Sequence, residues 1–242
     1  MRKLSLIGII LGSAVIAAHS AVAELTPMDS IDTYRERYDL KDVFQKRVDD
    51  RGEGFEPLYG TRNFRRVLDG VMYRGGANNK HHRDHRRNNV NPLPDDGLQN
   101  LCEEGFDEAV YLYSTRFESA PESVDCHDFN GHRNHLDYRS ISPFESHGAA
   151  ELLRLIHRHL AAVGSGRPVY FHCWNGWHAS GFISALALRQ FCNFSAGEAV
   201  TYWRANTDGH DRGRESLLAK IRSFQPDPTL RISPSLRHRV CP

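Results

Sequence analysis

Hydrophobic residues occur along the chain in two patterns, as short continuous runs and at three- to four-residue spacing. The short runs at residues 109–113 and 168–172 predict buried β-strands, and residues 134–141 predict another strand. Helical spacing recurs in residues 148–163 and 181–191, which predict two helices. Because strands alternate with helices in this way, the sequence predicts a single α/β domain with a central, mostly parallel sheet flanked by helices.

Turn and capping signals predict further elements. Residues 67–76 predict a strand, a turn and a second short strand. Residues 94–105 predict a short helix, and Ser195 is predicted to cap another helix that follows it. The segment 226–242 contains several prolines and is predicted to be an irregular C-terminal tail held by Cys241.

Residues 24–63 are predicted to form an N-terminal extension that lies on the core. Leu40, Phe44 and Val48 recur at four-residue spacing, and Asp39 precedes them as a candidate N-cap. This spacing predicts a short helix that runs to about Val48.

The first 23 residues have the three parts of a secretory signal peptide. Arg2 and Lys3 are basic, residues 4–18 form an apolar run of 15 residues, and Ala23 ends a small-x-small cleavage site. The run is shorter than the roughly 20 residues that a membrane span needs. The sequence therefore predicts cleavage after Ala23 and a periplasmic or secreted protein without a membrane segment once the signal is removed. The main domain is expected at residues 64–225.

The composition is that of an ordinary globular protein, with 40% hydrophobic and 25% charged residues among 242. Such values exclude a collagen-like or fully disordered chain. Lys and Arg total 31 against 30 Asp and Glu, so the net charge of +1 argues against a broad face for nucleic acid. In an oxidising compartment four of the five cysteines can pair, in ways that the sequence leaves open, and one stays free.

The most informative segment joins a predicted strand to a predicted helix. The strand ends in His172-Cys173, a short loop containing Gly176 follows, and an apolar helix begins at Ser180-Gly181. Amides of such a loop and of the first helical turn have no intrahelical acceptor, so they converge on an anion. A cysteine beside a helix N-terminus is stabilised as the thiolate. We expect the Ser180 hydroxyl to donate to this sulfur.

The segment resembles the signature of the cysteine-dependent tyrosine and dual-specificity phosphatases, which is His-Cys, five residues, Arg, then Ser or Thr. The positions that match this signature are His172, Cys173, Gly176 and Ser180. Three flanking segments match in the same order along the chain, one of them residues 105–112, which are similar to the family's passage from helix to strand. Residues 138–145 are similar to the family's strand and acid-bearing loop, and residues 72–76 are similar to its early turn.

This resemblance implies a dual-specificity-phosphatase-like fold and a two-step phosphoryl transfer that needs no metal and no cofactor. In that mechanism Cys173 is the nucleophile, His172 orients the loop and Glu145 is the general acid. The phosphate-binding loop that the resemblance implies consists of Trp174, Asn175, Gly176, Trp177, His178 and Ala179. The implied partner is a phosphorylated small molecule or a phosphoprotein.

One position departs from the family pattern, because Ala179 stands where the family has Arg. In the family this guanidinium grips the phosphoryl group, and loss of one such donor costs about 10²–10³ in rate. Other cations are candidates to supply the charge: His178 below about pH 6.5, Arg74 reaching in from outside, and the basic loop at residues 80–87. Asp137 is a rival general acid.

Three functions stay open at this point. A phosphatase accounts for the retained nucleophile and for Ser180, whereas an inactive, phosphate-binding pseudophosphatase accounts for Ala179. A thiol- or metal-handling protein would use Cys173 together with His178. The histidine-rich loop at residues 80–91 has spacings that a surface metal site can use, although its charges are typical of a solvated loop.

Overall fold

The structure is a computed structural model that describes residues 30–78, 92–164 and 166–242. A six-stranded sheet lies at its centre, and helices cover both faces. The strands are β1 (Thr61–Leu68), β2 (Met72–Ala77), β3 (Glu108–Tyr111), β4 (Ser123–His127), β5 (Arg133–Ser140) and β6 (Val169–Cys173). The helices are α1 (Ser30–Tyr38), α2 (Asp95–Glu103), α3 (Gly148–Ala161), α4 (His178–Phe191), α5 (Ala196–Ala205), α6 (Glu215–Ser223) and α7 (Pro234–Val240).

The strand order across the sheet is β1-β2-β6-β3-β5-β4. The three inner pairings, β2 with β6, β6 with β3 and β3 with β5, are parallel. The two edge pairings, β1 with β2 and β4 with β5, are antiparallel. The predicted fold class, a mostly parallel sheet flanked by helices, is confirmed. Buried on both faces, β6 ends at Cys173, so the cysteine lies at the carboxyl edge of the parallel strands.

Each face of the sheet carries its own hydrophobic core. Val169, Phe171 and Cys173 of β6 belong to the cluster that includes helices α3 to α7. Tyr170 belongs to the cluster on the other face, with residues of α1 and α2. Because side chains alternate along a strand, this pattern directs the Cys173 side chain to the face that α4 covers.

Most of the elements that the sequence predicts are present. Helices α2, α3 and α5 lie where spacing and capping signals predict them, and α4 begins a little earlier than predicted, at His178. Ser195 caps α5 as expected: its Oγ accepts from the Glu198 amide at 3.2 Å, and its own amide donates to the Glu198 carboxylate at 2.7 Å. The polar edge strand β4 has no counterpart in the prediction.

The N-terminal segment differs from the predicted helix at residues 39–48. The helix, α1, lies before this segment, and Asp39 follows its end with a left-handed φ of 46°. The carboxylate of Asp42 accepts hydrogen bonds from the amides of Phe44 at 2.7 Å and Gln45 at 2.9 Å. These bonds form a local turn instead of a helix. Tyr34 and Tyr38 of α1 pack into the aromatic cluster around Tyr73, so α1 contributes to the core.

The C-terminal segment is more regular than predicted. It contains a 3₁₀ turn at Pro228–Leu230 and then α7, which Ser233 caps by accepting from the Leu236 amide at 3.1 Å. A disulfide bond joins Cys241 to Cys192 at the end of α4, so Cys241 holds this segment as predicted.

A second disulfide bond joins Cys102 of α2 to Cys126 of β4. With four of the five cysteines paired, Cys173 is the free thiol. The predicted signal peptide and the basic, histidine-rich loop lie outside the described residues. Among the residues that are described, no helix has the length and apolar character needed to cross a membrane.

Candidate functional site

The loop between β6 and α4 turns sharply over the end of β2. Gly176 adopts a left-handed φ of 75°, and a Cβ there would lie 2.6 Å from the carbonyl carbon of Gly75. The Ala77 amide donates to the Trp174 carbonyl at 3.1 Å, and Gly76 bridges Asn175. The loop is therefore curved and pressed against a strand. Its curvature leads into the first turn of α4, whose amides have no acceptors within the helix.

Arg74 supports this loop from inside the protein. Its side chain is fully buried on β2, next to β6 in the sheet. Its guanidinium donates to the Gly176 carbonyl at 2.8 Å, the Ser180 hydroxyl at 3.3 Å and the Asn206 carbonyl at 3.4 Å. Arg74 thus holds the loop in shape, and the expectation that it reaches in from outside is wrong.

Cys173 and Ser180 lie together at the base of the loop. The Cys173 side chain is buried, and its Sγ lies 3.5 Å from the Ser180 Oγ. A guanidinium can only donate, so the Ser180 oxygen accepts from Arg74 and keeps its own proton for the sulfur. The Ser180 hydroxyl therefore lies where the sequence predicts it, beside the Cys173 sulfur.

His172 precedes Cys173 in β6 and is neutral. It is completely buried, and burial lowers its pKa to about 3. The Tyr138 hydroxyl accepts from the Leu93 amide at 3.0 Å and lies 2.8 Å from the His172 Nε2. This network assigns the Tyr138 proton to Nε2 and leaves Nδ1–H to donate to the Cys173 carbonyl at 3.3 Å. His172 therefore fixes the backbone on which the sulfur is carried.

A cavity of about 280 Å³ opens above Cys173. The side chains and backbone that line it are Tyr113, Cys173, Trp174, Asn175, Trp177, His178 and Arg214. Trp174 is about half exposed and donates from its indole Nε1 to the Tyr111 hydroxyl at 2.9 Å. Burial, and then the charge of Cys173, raise the pKa of Tyr113, so its phenol stays protonated. The cavity is thus an aromatic-walled pocket with a thiol in its lining.

His178 and Ala179 begin helix α4, directly after the loop. His178 is half-buried, and burial, followed by the Arg214 and His210 charges, lowers its pKa, while its Nε2 lies 2.6 Å from the His210 carbonyl. His178 therefore becomes cationic only at a lower pH than an ordinary histidine does, and its role as a cation below about pH 6.5 stays a prediction. Ala179, in the first turn of α4, is fully buried in the core, so it offers only its backbone amide.

The two acid candidates lie at different ends of the sheet. Asp137 of β5 lies opposite Glu108 of β3, which in turn lies opposite Val169 of β6. Val169 is the first residue of β6 and lies about 13 Å along the strand from Cys173. It forms ion pairs with His135 and Arg139 there. Asp137 is therefore not placed to act on a group bound at Cys173, which corrects its assignment as a rival acid.

Glu145 follows the carboxyl end of β5, at the same edge of the sheet as Cys173. It is exposed and, in the described structure, does not line the cavity. Its neighbour Phe144 packs on Tyr113, a wall of the cavity, with ring centroids 6.3 Å apart. Glu145 is thus adjacent in the chain to a residue that contacts the cavity wall, and its role as general acid stays a prediction.

Sequence reasoning missed Arg214, which lines the cavity from the residue before α6. It also missed Asp208 and His210, which contact Trp177. The sequence offers one weak signal for this segment, a polar stretch with two glycines that follows the helix predicted after Ser195. Within the described residues, no group of three His, Cys, Asp or Glu side chains is arranged to hold a metal ion.

No protein-family model matches the chain, and no curated protein matches it. Among solved structures, the chain is similar to the core catalytic domain of the PP-IP phosphatase SIW14 from S. cerevisiae in complex with citrate. That match has 18% identity and a TM-score of 0.44, and covers 69% of this chain and 88% of that one. The chain is also similar to Tk-PTP in the active form, with 16% identity, a TM-score of 0.42 and coverage of 67% and 98%.

Proposed function

We propose that this protein is an exported phosphatase that hydrolyses a phosphomonoester through the thiolate of Cys173. The observation that carries the proposal is the placement of the free thiol, 3.5 Å from Ser180, beneath the curved loop and the first turn of α4. Backbone amides at a helix N-terminus bind phosphate, and the same position favours a thiolate. The buried supports of the loop, Arg74 and His172, indicate that this shape is held rigidly.

The reaction proceeds in two displacements at phosphorus. The Cys173 sulfur donates an electron pair to phosphorus while the bond to the leaving oxygen breaks, and Glu145 gives that oxygen its proton. A water molecule then attacks the cysteinyl phosphate and loses a proton to the same carboxylate. The sulfur leaves with its electron pair, and the Ser180 hydroxyl donates to it. The products are inorganic phosphate and the free thiolate.

The substrate enters an opening with aromatic walls. Trp174, Trp177 and Tyr113 surround a cavity of about 280 Å³, which fits a phosphoryl group together with part of its leaving group. Phosphorylated small molecules and phosphorylated protein side chains share this chemistry. The substrate is therefore proposed as a phosphomonoester of either source.

The first experiment is turnover of a generic aryl phosphate by the mature protein. We expect hydrolysis that disappears in Cys173→Ser and falls in Ser180→Ala, with phosphorylated Cys173 accumulating in the second variant because sulfur departure is slowed. Ser184→Ala is the matched control, since this buried hydroxyl donates only to the Ser180 carbonyl, at 2.7 Å. Hydrolysis that survives in Cys173→Ser would refute the proposal.

The acid is tested separately. Glu145→Gln should lower kcat by about 10²–10⁴ for a substrate with a poor leaving group, and much less for an activated aryl phosphate. Glu151→Gln, an exposed carboxylate in the first turn of α3, is the control. Equal rates in both variants would remove Glu145 from the mechanism.

A second candidate function is a pseudophosphatase that binds a phosphorylated ligand without turnover. The observation that favours it is Ala179, which is buried and brings no charge to the loop. In that case the aryl phosphate is not hydrolysed, but phosphate still protects Cys173 from alkylation.

We also propose that the chain is exported after cleavage behind Ala23. Four of the five cysteines form disulfide bonds, which is the pattern of an oxidising compartment. N-terminal sequencing of the protein recovered from the periplasm or medium should begin at Glu24. An intact N-terminus on cytosolic protein would contradict this proposal.

A further inference from the structure

An anion bound over Cys173 needs a positive charge that the loop itself does not supply. Backbone amides at the start of α4 offer partial charges equivalent to about half an elementary charge. Arg74 is turned beneath the loop, where its guanidinium donates to the Gly176 carbonyl. Burial lowers the pKa of His178, which disfavours its charged form. Among the described residues that line the cavity, Arg214 alone carries a permanent positive charge.

The segment that carries Arg214 is fastened to the loop of Cys173. We call residues 207–214 the arginine loop. Within it, Asp208 accepts from the Trp177 indole at 3.0 Å, and the His210 ring stacks on Trp177 with centroids 3.8 Å apart. The His210 carbonyl lies 2.6 Å from the Nε2 of His178. Asp208 and His210 therefore attach the arginine loop directly to the loop that follows Cys173.

Both ends of the arginine loop are anchored in the core. Arg214 immediately precedes α6, and Leu217, Leu218 and Ile221 of that helix are buried. At the opposite end, Thr207 is fully buried, and its preceding carbonyl, that of Asn206, accepts from Arg74. With both ends fixed, the backbone at Arg214 is held at the cavity, and a bound ligand has only the side chain to order.

The guanidinium of Arg214 is not committed to another group. The residue is exposed, and within the described part of the chain no hydrogen bond or ion pair holds its side chain. Other arginines nearby are engaged: Arg204 pairs with Asp211 at 3.7 Å and Arg65 with Asp208 at 3.3 Å. The charge of Arg214 acts on both neighbours: it contributes to the lowered pKa of His178 and opposes part of the rise that burial causes in the pKa of Tyr113.

We propose that Arg214 binds the phosphoryl oxygens of a substrate held over Cys173, so that the arginine loop completes the anion site from outside the β6–α4 segment. A planar guanidinium offers two parallel donors to a phosphoryl group, which a lysine cannot reproduce. This inference rests on the proposed phosphate site. It adds a recognition residue that lies far from the cysteine in the sequence.

The experiment measures how inorganic phosphate protects Cys173 from iodoacetamide, in buffer without reductant so that the two disulfide bonds stay closed. Arg214→Ala should raise the phosphate concentration needed for half-protection by about 10- to 100-fold, because hydrogen bonds between charged groups are lost. Arg214→Lys should fall between this variant and the wild type. Arg212→Ala removes an exposed arginine from the same loop and should behave as wild type. Urea unfolding midpoints verify that all variants are folded.

The outcomes separate the two proposals. Equal protection of Arg214→Ala and wild type, with turnover that still depends on Cys173, overturns the role of Arg214 and leaves the phosphatase standing. Equal weakening by Arg212→Ala also overturns it, because the effect is then general charge. Absence of phosphate protection and of turnover in the wild type overturns both proposals.

Discussion

Replacing Gly176 with alanine tests the curvature on which the site depends. Two separate costs arise at this position. The left-handed φ of 75° costs an L-residue about 1–2 kcal/mol. The new Cβ would also lie 2.6 Å from the Gly75 carbonyl carbon and 2.8 Å from the Gly76 nitrogen. Both atoms are backbone, so the loop and β2 must separate, at a further cost of about 1–3 kcal/mol.

Gly131 provides the matched control. It has a φ of 80° in the turn between β4 and β5, and a Cβ there would meet no atom within 4 Å. Gly131→Ala therefore carries only the backbone cost of about 1–2 kcal/mol. We expect Gly176→Ala to be less stable than Gly131→Ala by about 1–3 kcal/mol in urea unfolding.

Activity gives the second readout of the same pair. A displacement of about 1 Å near reacting groups costs about 10² in rate, so Gly176→Ala should lose aryl phosphate hydrolysis to that degree. Gly131→Ala should keep it. Equal stability and equal activity of the two variants would refute the contact between the loop and β2, and with it the curved anion site.

Three further predictions concern Arg74, His172 and the disulfide bond between Cys192 and Cys241. Arg74→Lys should destabilise the fold by about 3 kcal/mol and lower hydrolysis by about 10², because one ammonium cannot serve three separated acceptors; unchanged unfolding and kinetics would contradict this. Burial lowers the pKa of His172 to about 3, whereas a histidine in the unfolded chain titrates near pH 6.5. Because the unfolded state then binds a proton that the folded state does not, the free energy of unfolding is full above about pH 6.5 and falls as the pH drops towards 3. Urea unfolding should show wild type losing about 4 kcal/mol more than His172→Gln across that range, and parallel curves would count against it. Removing the disulfide by Cys192→Ser with Cys241→Ser, 49 positions apart, should cost about 4 kcal/mol in a denaturant titration while hydrolysis persists; lost hydrolysis in folded protein would show that the bond also shapes the site.

The fold was largely predictable because its elements carry local signals. The buried strand β6 and the helices α2 to α5 follow short-range apolar patterns and caps, which are properties of neighbouring residues. The predicted helix at residues 39–48 failed for the opposite reason. The spacing of Leu40 and Val48 is helical, but Val48 forms a bridge to Phe64 of β1, a contact that no local pattern contains.

Edge strand β4 shows a related limit. Its residues Ser123 to His127 are polar and alternate between exposed and half-buried, so they lack the apolar run that identifies a strand. Pairing with β5 and the disulfide bond between Cys126 and Cys102 place it in the sheet. Both are long-range contacts, and the sequence left the disulfide pairing open.

The sequence by itself determined the strand, the candidate nucleophile, the turn glycine and the serine, because Cys173, Gly176 and Ser180 lie within eight consecutive residues. Only the tertiary structure decided what surrounds them. The register of the parallel strands places Asp137 at the far end of the sheet and Arg74 beneath the loop. The packing of α6 and the contacts of the arginine loop bring Arg214 to the cavity that Cys173 also lines. Spacing along a chain fixes distances over a few residues, whereas a charge supplied from another element depends on how the whole sheet and its helices pack.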